Sequence, residues 1–370
     1  PAHVGAVYGH TSTTEVRATD GTPAGTVTLG STTSEEVDAT VVGAARTWVL
    51  AGDEVLRTDG SAGSLTTAAT LPHDLDEGAA LDHLLVGSAD LGAGAEPVVV
   101  DDAGASTLGD LAPGAFDSDP GGFVAVDDHV VFVAQPGDGA DVELWRTDGT
   151  PGGTTRLAFV DDHGSVEGWR AAAGDGFAVL VGHDGGDRPV MVTNGTAGGT
   201  FQPGATTSSD APRPVDVGGR VAFVATTSAN AGGELWVSDG TAAGTHAVAD
   251  PHPAPSVDDV LVADTVVYLV ADTPGNGPSV WSVERTDPLA SPPSLVDVGD
   301  AELVATWGDD LVFERSGDYH HLDATSGTVT EIAASPIAAR HAYPADTGMY
   351  VTTSLQEVHH VDLAGAAPYT

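Results

Sequence analysis

Short runs of apolar and β-branched residues alternate with turn residues along the whole chain, and no stretch carries a helical period with caps. Compact runs at 4–8, 47–50, 84–86, 130–133, 177–181, 221–224, 266–270, 311–313 and 349–351 are too brief for helices. They read as buried strands. Most follow a turn signal, such as Asp127-Asp128, Gly174-Asp175, Gly218-Gly219 or Gly308-Asp309. A further apolar segment precedes that signal, as at 37–42, 260–263 and 303–306. After each run comes a strand that closes on an acidic residue and a turn. Its fullest copy is 143–154, Glu-Leu-Trp-Arg-Thr-Asp-Gly-Thr-Pro-Gly-Gly-Thr. On that strand Leu144 and Arg146 share one side, Trp145 and Thr147 the other. Asp148-Gly149 supplies the turn, since Asp bonds amides two residues on and Gly accepts positive φ.

Aligned on the acidic residue before the turn, Asp20, Asp59, Asp101, Asp148, Asn194, Asp239, Glu284, Asp323 and Asp362 fall into register at spacings of 39 to 47 residues. Nine units of about 43 residues, each with four short strands, tile the chain. One such sheet cannot bury both faces alone, so copies pack face to face about an axis. The expected fold is all-β: a single β-propeller domain over residues 1–370, with four-stranded antiparallel blades. Nine blades closed by the termini is the direct reading, and eight with one degenerate unit outside the ring is the alternative. The Pro-rich pieces 250–255 and 287–293 are of loop length and join units.

The strings at 143–154 and at 234–245 (Glu-Leu-Trp-Val-Ser-Asp-Gly-Thr-Ala-Ala-Gly-Thr) resemble the ELWxxDGT tandem-repeat family. The units at 15–26, 54–64 and 189–200 share the pattern with substitutions, and the other four are placed by spacing. The resemblance implies propeller-type folding in large, often secreted or surface-exposed proteins. It implies no catalytic residue, because the family's motif is one of packing and turning.

Charge sharpens this picture. Asp and Glu total 54 against 12 basic residues, all Arg, for a formal net charge of -42. Such a chain repels nucleic acid and anionic lipid. It fits a halophilic source, where salt screens self-repulsion, or GC-rich coding. There is no Cys. No apolar run approaches the ~20 residues needed to span a membrane, so insertion is not expected. The chain starts at Pro1 without a visible signal peptide, which reads as a processed or trimmed product, and export is the favoured compartment.

Candidate chemistry is sparse. Calcium is the natural ligand of so acidic a surface, with Asp74, Asp76 and Glu77 before Gly78, and Asp117 and Asp119 before Gly121-Gly122, as local candidates. Neither set has full EF-hand spacing, and the alternative is a solvated acidic loop. His320-His321 and His359-His360 occupy the place of Trp145 and Trp236 in their units. Because neighbours on a strand face opposite sides, only His320 and His359, or their partners, would share a metal site. The alternative is a packing position. Trp145, Trp236 and Trp281 form one column expected in the core, whereas Trp169 and Trp307 fall outside it and are expected at the surface. Asn194-Gly195-Thr196 matches a glycosylation acceptor but also aligns with Asp148-Gly149-Thr150. No cofactor is identified, and no nucleophile elbow, Walker loop or dinucleotide fingerprint occurs.

The expected function is a non-enzymatic extracellular or cell-surface module, structural or adhesive. It would present rim loops to a protein or glycan partner within a surface appendage or larger assembly. The alternative is a carbohydrate-active hydrolase or lyase at the axial mouth, for which Arg340 and His341 are the residues to inspect.

Overall fold

The computed structural model describes residues 3–7, 13–19, 24–75, 77–114, 116–137, 140–161, 166, 168–182, 188–207, 213–227, 230–248, 256–273, 277–285, 294–296, 301–316, 318–334, 339–345, 348–353 and 358–362. Among them there is no α-helix, only two single-turn 3-10 segments at Pro151–Gly153 and Ala197–Gly199. Everything else regular is antiparallel strand. The fourth repeat is representative: Gly121–Val126, His129–Ala134, Val142–Thr147 and Thr155–Asp161 form a four-stranded meander in chain order. The second, third, seventh and eighth repeats do the same. Described strands of the first repeat (His3–Val7, Thr14–Thr19, Val27–Thr32) and of the last (Ala339–Ala345, Gly348–Thr353, Val358–Asp362) form three-stranded sheets. These sheets are β-propeller blades.

The chain separates into two compact units, residues 1–203 with 240–242, and residues 204–239 with 243–370. In the first, the opening strands Ala39–Val42, Gly78–Leu81, Gly121–Val126 and Arg170–Ala173 adjoin in succession. In the second, Ser256–Val262, Glu302–Trp307 and Ala339–Ala345 do likewise. Sheets stack through apolar faces. Leu144, Val131 and Val133 of the fourth repeat pack on Trp169, Leu180 and Met191 of the fifth. In the second unit, Leu235 and Val237 pack on Val267, Leu269 and Trp281.

Two features recur at fixed places in the repeat. The outer strand is bulged opposite the residues four and three before the turn acid, at Val16/Arg17, Val55/Leu56, Leu144/Trp145 and Tyr319/His320. A bulge there twists an edge strand and blunts edge-to-edge pairing. In the fourth, fifth and sixth repeats the turn glycine also receives a side chain from the repeat before, whereas nothing lies within 4 Å of a Cβ on Gly60 in the second. Gly149, Gly195 and Gly240 have φ of 86°, 75° and 85°. A Cβ on them would collide with Leu84, His129 and Phe177 respectively, residues that begin or immediately precede a second strand. At Gly195 and Gly240, where ring atoms intrude, glycine is therefore demanded twice, by backbone conformation and by the neighbour; at Gly149 the backbone makes the larger demand, since the end of Leu84 can move.

Candidate functional site

The repeat motif spends its polar atoms internally. Asp148 Oδ1 accepts the Thr150 amide at 2.9 Å and its hydroxyl at 2.6 Å, while Gly149 N donates to Thr147 Oγ1 at 3.1 Å. Thr150 Oγ1 accepts Gly153 N at 3.1 Å, and the Thr147 and Thr154 hydroxyls meet at 2.8 Å. Asn194 repeats the pattern with Thr196 N at 3.1 Å and Thr196 Oγ1 at 2.7 Å. The turn thus accounts for Asn194-Gly195-Thr196. The motif arginine reaches forward: Arg146 Nη1 donates to Gly195 O at 2.9 Å, and Arg57, at the same repeat position, pairs with Asp102. Leu144 is buried, Trp236 and Trp281 are nearly so, and Trp145 is half-buried. The indole N–H groups of Trp145 and Trp236 meet no acceptor among the described residues, so these rings contribute packing.

Trp169 departs from expectation. It is 4 % exposed and lies in the core between the fourth and fifth repeats, against Leu144 and Met191. It immediately precedes the strand Arg170–Ala173, and its contact with the neighbouring sheet is invisible to a register built on the third strand. Trp307 lies on the strand Glu302–Trp307; its side chain, like those of Arg340, His341 and His359, lies outside the described ones.

The acidic candidates do not converge. Asp74 is exposed, and Asp76 lies outside the described residues. Glu77 Oε1 accepts Gly122 N at 3.0 Å, tying the loop of one repeat to the first strand of the next. Asp117 Oδ1 accepts Ala95 N at 2.7 Å, and Asp119 has a positive φ of 43°. Among the described residues, no three His, Asp or Glu side chains come together as a metal-binding group. His320 is 7 % exposed and stacks on Phe313 with ring centroids 5.3 Å apart. Its Nδ1 lies 3.0 Å from Asp318 O and its Nε2 3.3 Å from Arg315 Nη2. The Nδ1–H therefore donates to the carbonyl and Nε2 accepts from the guanidinium, which engages both nitrogens. His359 sits on the strand Val358–Asp362, opposite Val351.

The sequence reading missed a built loop. Glu96 holds the motif's first position in the third repeat and is 2 % exposed. Its Oε2 accepts Leu111 N at 2.8 Å and Ser118 Oγ at 2.7 Å, and Oε1 accepts Ala112 N at 3.3 Å. Burial pushes this carboxyl above the usual range, against the pull of those donors. Backbone bonds add to the anchorage, Leu108 N to Pro97 O at 2.8 Å and Gln135 N to Ser118 O at 2.8 Å. The described residues of the segment, 108–114 and 116–120, are thereby tied to the sheet near both ends, and Phe116 is 51 % exposed. Beside it lies the hairpin with Leu91, 38 % exposed, whose Gly94 leaves no room for a Cβ against Phe116 O. The signal was the glutamate column itself: Glu54 likewise takes Thr33 N at 2.9 Å from the strand-to-strand crossing before it. A second arrangement lies in the other unit, where Glu302 pairs directly across from Glu314 and the strand holding Arg340 and His341 runs alongside.

No protein-family model matches the chain, and no curated protein matches it. Solved structures resemble it at low identity. It is similar to AztD from Citrobacter koseri, with 13% identity, 99% of this chain and 93% of that one covered, and a TM-score of 0.48. It also resembles the β-propeller domain of the Trilobed protease from Pyrococcus furiosus, with 9% identity, coverage of 76% and 92%, and a TM-score of 0.37. A puromycin hydrolase matches with 13% identity over 88% of this chain at a TM-score of 0.39, and the chain spans 58% of that protein's length. Likeness at these scores adds nothing to what the sheets themselves show.

Proposed function

We propose that the chain is a non-enzymatic, extracellular structural or adhesive propeller module that offers end loops to a protein or glycan partner within a larger surface assembly. Its repeats are of the ELWxxDGT kind. The observation that carries this reading is the loop 108–120, held by the buried Glu96 carboxylate while Phe116 stands in solvent. Ordering a loop in advance lowers the entropy lost on binding, and a rigid aromatic is a favoured anchor. The motif, by contrast, leaves little for a partner, since its Asp, Thr, Gly and Arg groups serve the turn and the next sheet. In the first unit the opening strands Ala39–Val42, Gly78–Leu81 and Gly121–Val126 carry no ionisable side chain, and Arg170–Ala173 carries Arg170 alone. Arrays of glycans and of surface proteins, probed in molar salt with the intact chain, test the reading. Binding that depends on the 108–120 loop supports it, and absence of any binder counts against it.

The Glu302–Glu314 pair favours the second reading, a carbohydrate-active hydrolase or lyase. Like charges directly opposite on a sheet are unfavourable, which marks this pair for test. A polysaccharide panel assayed for new reducing or unsaturated ends decides this. Turnover abolished by Glu314→Gln would establish the enzyme and remove the first reading.

A further inference from the structure

The end of the third repeat that carries the exposed Phe116 and Leu91 also carries oriented charge. The hairpin between Leu84–Asp90 and Ala95–Asp101 lies against the loop, since a Cβ on Gly94 would stand 2.6 Å from Phe116 O and 2.7 Å from Asp117 Oδ1. A carboxylate sits beside each apolar residue. Asp90 Oδ1 accepts Gly92 N at 2.7 Å and Gly94 N at 3.1 Å, and the Gly92 amide holds the group below the usual carboxylate range. Asp117 Oδ1 accepts Ala95 N at 2.7 Å. Backbone amides thus fix one oxygen of each, and neither Oδ2 has a hydrogen bond among the described residues. His73 Nε2 approaches that of Asp90 only to 3.9 Å. Asp110 and Asp119 on this loop and Asp74 and Glu77 on the loop before it are exposed as well. The sequence has no Lys, and no Arg between Arg57 and Arg146.

We propose that this face takes an arginine-bearing segment of a protein partner, whose apolar side chain lies on Leu91 and Phe116 while its guanidinium groups meet Asp90 and Asp117. The inference rests on the binding role given above to the loop, and it narrows the partner from protein or glycan to basic protein. Exposed apolar surface by itself suits a sugar ring as well as an aliphatic side chain. The carboxylates separate the two. They repel uronate and sulfated sugars and attract a guanidinium, which also stacks on a phenyl face. An ammonium is the poorer match, being more strongly hydrated and without a flat face to lay on the ring. With one oxygen tied down, neither carboxylate has to be ordered on binding. At 1 M salt, charges are screened beyond about 3 Å, so contact at these oxygens selects the partner rather than the net charge of the chain.

The test applies the intact protein in 1 M NaCl to surfaces displaying Gly-Ser peptides with an Arg-Leu-Arg, Lys-Leu-Lys, Gln-Leu-Gln or Glu-Leu-Glu triplet, beside neutral and uronate glycans. The Arg peptide should bind best and the Glu peptide least. Phe116→Ala should reduce Arg-peptide binding at least tenfold, on the order of an anchoring aromatic. Asp90→Asn with Asp117→Asn keeps the oxygens that accept the backbone amides and should reduce it roughly fivefold, as for two exposed ion pairs. Asp82→Asn with Asp127→Asn makes the same change of charge in turns at the other end of their sheets, where Asn suits the positive φ of 51° and 50°. That pair should stay within about twofold of wild type, as expected where no contact is lost. An Arg peptide bound no better than the Gln peptide, or equal losses in the two Asn pairs, would overturn the proposal, while Phe116-dependent binding of a neutral glycan in the same experiment would leave the loop's binding role standing. No Phe116-dependent binding here or on arrays of surface proteins would remove both.

Discussion

Gly149→Ala tests the backbone demand made on the motif's turn, with a smaller steric part from Leu84. The residue has φ of 86°, and its Cβ would lie 2.5 Å from Leu84 Cδ1. Left-handed backbone costs an alanine about 1–2 kcal/mol. The atom in the way is the end of the flexible, half-buried Leu84 side chain, which can turn aside, so the contact adds at most about 1 kcal/mol. The expected destabilisation is therefore about 1–3 kcal/mol. Gly152→Ala is the matched control three residues on, because its φ is ordinary and nothing lies within 4 Å. It should fall within about 0.5 kcal/mol of wild type. The chain bears this out in its own copies, with Ala24 and Ala243 at the position of Gly152 but Gly21, Gly195 and Gly240 at that of Gly149. Urea unfolding followed by circular dichroism gives the midpoints, read at constant slope so that a change in cooperativity is not mistaken for one in stability. Leu84→Ala combined with Gly149→Ala should recover the steric part alone, a coupling of about 0.5–1 kcal/mol. Equal losses for Gly149→Ala and Gly152→Ala would refute the reasoning.

Three further outcomes follow from the same contacts. The Thr150 hydroxyl and amide hold Asp148 below the usual carboxylate range, and the Ser61 groups do the same for Asp59. Their contribution is present above the unfolded value near pH 4 and is lost as pH falls below it. Asp59→Asn with Asp148→Asn should flatten the pH dependence of unfolding between about pH 5 and 2.5, and an unaltered curve would deny the turns this role. With a net charge of -42, raising NaCl from about 0.1 to 2 M should lift the melting temperature by at least about 5 °C, whereas no rise would make self-repulsion a minor factor. Glu77 and Asp117 already accept backbone amides, so a chelator should leave the melting temperature unchanged, and a clear fall would place calcium in those loops.

The blades were legible because each repeat writes the same local physics again. Runs such as 130–133 and 311–313 fall within the observed strands His129–Ala134 and Asp310–Arg315, and Asp127-Asp128 and Gly308-Asp309 are their turns. Register on the turn acid also placed His320 correctly in the tryptophan column, opposite Phe313. What escaped was anything set by the crossing from one repeat to the next. Trp169 stands just before the first strand of its repeat, and its burial is decided by the neighbouring sheet. The partners of Glu96 are two backbone amides and a serine hydroxyl, groups that leave no composition signal, so only the glutamate column hinted at the anchor. The glycine contacts were half legible: Asp-Gly announces the turn, but that Leu84, His129 and Phe177 press on the next glycine needs the stacked sheets.

The division between a motif that builds and loops that bind is tested most directly by one comparison. Wild type and Phe116→Ala are applied to the same glycan and protein arrays in molar salt, with melting temperatures measured in parallel. Because Phe116 is 51 % exposed, its loss should leave melting within about 1–2 °C while reducing the signal of a bound partner at least tenfold, as for an anchoring aromatic. Undiminished binding by Phe116→Ala, or binding that instead disappears with Asp148→Asn at an unchanged melting temperature, would contradict it.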